Sequence, residues 1–211
     1  MTRKHLFPLA LALAIGACRD AAAPFAEPRA ALPQFDVLAT DSSAEAHVLR
    51  QSPSAPPLET YQVSFWASPV RESKVTVSYR PAAGQSVGAP FLRFGVPRHG
   101  LVAGAGGVPL APNDSVLITL NIDSVAFRVD FQPEGVAFSP SYPAQLTLWY
   151  ANANPDFNGD GQVNELDNQL AQQLAVWYHG AKWSRMSSKS DPALRVVAAQ
   201  LYHFSEYAVS W

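Results

Sequence analysis

Beyond Glu59 the chain settles into short runs in which apolar and polar residues alternate. Alternation with period two marks a strand that turns one face to a core and the other to water. YQVSFW (61–66) and KVTVSY (74–79) put Val63, Phe65, Val75, Val77 and Tyr79 on inward faces. FLRFGVP (91–97), SVLITLNI (115–122) and VAFRVDF (125–131) follow. The last places Val125, Phe127, Val129 and Phe131 inward, with Arg128 and Asp130 outward. QLTLWY (145–150), LAVWYH (174–179), WSRMSS (183–188), LRVVAAQLY (194–202) and EYAVSW (206–211) bring the set to about ten strands. Turn residues separate them, so the pattern predicts a mainly β fold, an antiparallel β-sandwich. Only 164–173 has helical spacing, with Leu166, Leu170 and Leu174 on one face. It predicts one short helix.

Upstream the pattern disappears. From Arg19 to Leu58 alanine, proline and serine dominate, and apolar residues stand singly without period. Such a segment buries too little surface to offset its ordering entropy. It predicts a disordered tether over 18–58, and the sandwich domain over 59–211. A coil of that length reaches roughly 35 Å on average.

The first residues read MTRKHLFPLALALAIGACRD. Arg3 and Lys4 precede an apolar run from Leu6 to Ile15, far shorter than the roughly 20 apolar residues a membrane-spanning helix needs. An export signal over 1–17 is the expectation. Cys18, the sole cysteine of the chain, follows directly in IGAC. That stretch resembles the lipobox of bacterial lipoproteins, which implies a lipidated Cys18 anchored in a membrane by two or three acyl chains. The alternative is an ordinary signal cleaved near Ala21–Ala23. Arg19 after the cysteine, by analogy with lipoprotein sorting, points to the outer membrane of the cell envelope. No cysteine remains for a disulfide.

Charge narrows the classes further. The formal net charge is −2 and charged residues make up 15% of the chain, which offers neither a basic footprint for nucleic acid nor a polybasic patch for an anionic membrane.

One stretch has the composition of an ion site: DFNGDGQVNELD, residues 156–167. Oxygen-bearing side chains fall at Asp156, Asn158, Asp160, Asn164 and Asp167, Gly161 stands where the loop must turn, and Gln162 can offer its backbone carbonyl. This matches the calcium-loop template D-x-[DN]-x-[DN]-G-x₅-E with Asp in the closing position. Calcium takes six to eight oxygens at about 2.3–2.6 Å, and alternate residues of a tight loop point inward to supply them. Val163, the apolar eighth residue, is expected to point inward. With a strand before it and a helix after it, the unit resembles half of a dockerin repeat more than an EF-hand pair. The alternative is an Asn/Asp/Gly turn without metal. The expected role of Ca²⁺ is structural.

Three stretches carry a wider resemblance: FLRFGVPRHGLV followed by DSVLITLNI, then FQPEGVAFSPSYPAQLTLWY, then LYHFSEYAVSW. Over about residues 90–211 they are similar to the β-sandwich module of zonula-occludens proteins, netrin receptors and ankyrins, the ZU-five domain. The motif elements are Val96–Leu101, Pro133–Phe138 with Pro143, and His203–Ala208. The resemblance implies an interaction or structural module without catalytic residues.

The residues themselves agree with that expectation. There is no G-x-S-x-G and no H-E-x-x-H, and His99, His179 and His203 lie on separate segments without a second ligand nearby in sequence. GAGGV (104–108) is followed by Pro109 and Pro112, so it reads as a hairpin loop, with no helix N-terminus to hold phosphate. Trp149, Tyr150, Trp177, Tyr178, Trp183 and Trp211 gather in the C-terminal half. If Trp177 and Trp183 shared one exposed flat face, a glycan-binding module would be the alternative function; otherwise they are core. The expectation is a non-catalytic envelope protein with a protein or glycan partner.

Overall fold

A computed structural model describes residues 47–211. The expected signal segment, Cys18 and the tether as far as residue 46 lie outside the described residues. Thirteen strands and one helix follow in order: β1 (Gln62–Ala67), β2 (Ser73–Ser78), β3 (Pro90–Val96), β4 (Leu101–Ala103), β5 (Val116–Asp123), β6 (Arg128–Gln132), β7 (Ala137–Phe138), β8 (Ala144–Trp149), α1 (Glu165–Gln173), β9 (Ala175–His179), β10 (Trp183–Arg185), β11 (Ser188–Asp191), β12 (Val196–Leu201) and β13 (Glu206–Ser210).

All pairings are antiparallel. One sheet runs β1-β5-β6-β13-β9-β10 and the other β11-β12-β8-β3-β2, with a small β4-β7 pair besides. Two edges are therefore shared by consecutive strands. The chain passes from sheet to sheet between β1 and β2 at one end and between β10 and β11 at the other. The fold class is the predicted one: mainly β, in antiparallel sheets, with one short helix.

Rings from the two inner faces interlock to make the core. Phe94 of β3 meets Phe131 of β6, their centroids 4.7 Å apart, and Phe204 lies 5.1 Å from Phe131 and 5.3 Å from Phe138. Aromatic pairs at such spacings add to the burial of their surface. Tyr207 is fully buried and donates its hydroxyl to the carbonyl of His203 at 2.6 Å. Burial pushes its pKa well above that of a free phenol. These contacts draw together all three stretches that carry the family resemblance. Leu101 pairs with Phe138, and Ala137 bridges His203.

Two glycine-bearing turns lock the same end. Gly106 N–H donates to the carbonyl of Glu134 at 2.9 Å. Gly135 has φ of +84°, and a Cβ there would stand 2.6 Å from the nitrogens of Gly106 and Gly107. The GAGGV stretch is thus a loop, as predicted, and its backbone packs on the PEG turn.

Two expectations change. Residues 47–58 are no tether: Leu49 and Leu58 are fully buried, and Val48, Gln51 and Leu58 bridge to Ser210, Ala153 and Tyr79. Each of these bridges is isolated and belongs to no ladder, so no periodicity can reveal it. Val125 was expected inward but is 61% exposed. The Asp123 carboxylate accepts from the N–H groups of Val125 and Ala126, so these residues form the turn into β6. That is the side-chain turn chemistry of aspartate overriding alternation.

Candidate functional site

The loop 156–167 begins shortly after β8, and its base is held by the N-terminal segment. Ser52 N–H donates to Asn152 O at 2.9 Å and Asn154 N–H to Arg50 O at 2.8 Å. From there the polar side chains fold onto the loop's own backbone. The Asp156 carboxylate accepts from the N–H of Asp160 at 3.1 Å and of Gly161 at 2.9 Å. Asn158 Oδ1 accepts from the same Asp160 N–H at 3.0 Å, and Asp160 Oδ1 accepts from Gln162 N–H at 2.8 Å. Gly159 and Gly161 take φ of +73° and +84°, the left-handed conformation that glycine adopts at least cost. Asp156, Asn158 and Asp160 are therefore gathered around the amides of 160–162.

Asp167 sits apart from that group in its bonding. It is 2% exposed and accepts from Phe157 N–H at 2.7 Å, Asn158 N–H at 3.3 Å and Asn164 N–H at 2.8 Å. Asn164 in turn caps α1, its Oδ1 accepting from Leu166 N–H at 2.8 Å, so the two residues form a capping box. The N–H of Asn164 is the foremost cause holding the Asp167 carboxyl below the usual carboxylate range; burial opposes it, and the N–H groups of Phe157 and Asn158 add to it.

The donor set of the loop, carboxylates, amide oxygens and a backbone carbonyl, has the hard-oxygen chemistry calcium requires. Its spatial gathering is partial. Among the described residues, no group of three His, Cys, Asp or Glu side chains is placed to hold a metal ion. Val163, expected inward, is 65% exposed. On the other flank Phe157 lies 5.9 Å from Trp211, which stacks on His47 at 5.7 Å. Spacing along the sequence gives no sign of this group, because His47 and Trp211 lie far apart in the chain and Phe157 belongs to the loop between them.

No protein family, curated protein or solved structure matches this chain.

The remaining candidates are dispersed. His99 neighbours Tyr142, His203 neighbours Tyr178, and His179 packs on Trp183 with its Nδ1 3.8 Å from Glu206. Trp177 is only 9% exposed, so Trp177 and Trp183 do not form the flat exposed platform a stacked sugar would need. Trp149 is covered by Arg93, whose guanidinium carbon lies 5.3 Å from its ring centre. Among the described residues no helix is long and apolar enough to cross a membrane.

Proposed function

We propose that this protein is a non-catalytic component of the bacterial cell envelope. It is held on the outer membrane through a lipidated Cys18 and presents one ZU-five-like β-sandwich to a partner. Calcium serves as a structural clip on the loop between β8 and β9. The observation that carries the clip is the placement of Asp156, Asn158 and Asp160 around a single turn centred on Gly161. Those three, with the Gln162 carbonyl, Asn164 and Asp167, would hold the ion. When bound, calcium supplies positive charge that offsets the repulsion among three carboxylates.

The ligand residues have a structural position in the domain. Asp167 ties the start of the loop to the start of α1, and Phe157 ties it to Trp211. A loop fastened in this way reinforces the joint between the N-terminal segment, the loop and the last strand. At the affinity typical of extracellular modules, with Kd about 0.1 mM and calcium about 1 mM, binding adds about 1.4 kcal/mol. That magnitude suits reinforcement and is too small for a switch.

The anchoring part is tested by replacing Cys18 with Ala and fractionating cells. Release of the protein from membranes is the expected result. Unchanged partitioning would remove the anchor from the proposal.

A further inference from the structure

At the edge where β10 passes to β11, residues 186–187 step from the first sheet to the second. Beside that step lies a cavity of about 550 Å³, within the size range of small-molecule sites. Tyr178 of β9 and Met186 of the step contribute aromatic and aliphatic wall. The charged contribution is of one sign: Arg185 and Lys189 line the cavity beside the His203 ring, and no Asp or Glu does.

These cations are not matched elsewhere. Among the described residues the ion pairs are Lys74–Glu72, Arg128–Glu206 and His179–Glu206, so neither Arg185 nor Lys189 takes part in one. Arg185 donates from one Nη to the carbonyl of Gln173 at 2.9 Å, which steadies the guanidinium and leaves most of its five N–H donors. His203 directs Nδ1 to the carbonyl of Phe204 at 3.2 Å and sets its ring edge-on to Tyr178 at 5.6 Å. The ring is thereby fixed with Nε2 left over. An unpaired guanidinium and ammonium at one half-open cavity favour a carboxylate. The side-chain amides of Gln145 and Gln200 also border it, and neutral donors and acceptors of that kind suit hydroxyl groups.

We infer that this cavity binds a small sugar acid, a uronic acid either free or at the end of an acidic polysaccharide. Its carboxylate lies on Arg185 and Lys189, and its ring packs against Tyr178. The site uses no tryptophan and depends on neither the lipid anchor nor the calcium loop.

The test is a chemical-shift titration of the full-length protein with D-glucuronate, D-galacturonate and an oligogalacturonate, with glucose and inorganic phosphate as controls. Saturable shifts at Tyr178, Met186 and Lys189 with at least one uronate are expected. Lys189→Ala and Arg185→Ala, both at exposed positions, should each weaken binding by about tenfold or more. Binding of the oligomer alone assigns the site to a polysaccharide end, and binding of the monomers assigns it to the free acid; both support the inference. It is overturned if no uronate saturates, if glucose binds equally well, if phosphate binds in place of uronate, or if both variants keep full affinity.

Discussion

Asp167 is a buried carboxylate whose partners are backbone N–H groups, with no cation among them. That arrangement has a consequence for pH. Its folded-state pKa is held below that of the unfolded chain, so the charged form contributes stability above about pH 4. The contribution is lost as pH falls through the folded value. In chelator, the melting temperature should fall on acidification below that point, and Asp167→Asn should lower the neutral-pH value while flattening the acid decline. An acid profile identical in the two proteins would remove Asp167 from this role. Gly135 gives a second test at the same scale. Any side chain there meets a left-handed backbone and the nitrogens of Gly106 and Gly107 at 2.6 Å. Gly135→Ala should lose about 1–3 kcal/mol from the backbone alone, and more from the contact, in a urea titration.

Among the elements, α1 is held unusually. Leu166 is 48% exposed, and the one buried residue of the helix is Asp167. Capping bonds at its N-terminus therefore carry more of its placement than an apolar face does. The predicted stripe of Leu166, Leu170 and Leu174 was right about the helix and wrong about what fastens it, since only Leu174 reaches the core. Alternation made β5 and β6 readable because each has one wet and one buried face. It failed at 47–58 because Leu49 and Leu58 enter the core singly, in a segment held by isolated bridges and not by a ladder. The loop's polar residues were legible from spacing alone. Its engagement with Trp211 and the N-terminal segment was not, since those contacts are made only by the folded chain. Leu49→Ala tests the corrected boundary. A buried leucine costs about 2–5 kcal/mol when truncated, whereas a tether residue costs nothing measurable; denaturant unfolding separates the two.

For the whole molecule, the chain changes sheet at both edges, from β1 to β2 and from β10 to β11, and again between interior strands, from β8 to β9 and from β12 to β13. The loop 156–167 lies between β8 of one sheet and β9 of the other, where stiffening one loop joins two layers. That placement makes thermal melting the most direct measurement of the calcium claim. The wild-type protein and Asp160→Ala are melted with calcium at about 1 mM and with chelator, a calcium level expected to stabilise by about 1.4 kcal/mol. The predicted result is a higher melting temperature with calcium in the wild type and no shift in Asp160→Ala. Equal melting temperatures with and without calcium in the wild type would contradict it and leave DFNGDGQVNELD a polar turn.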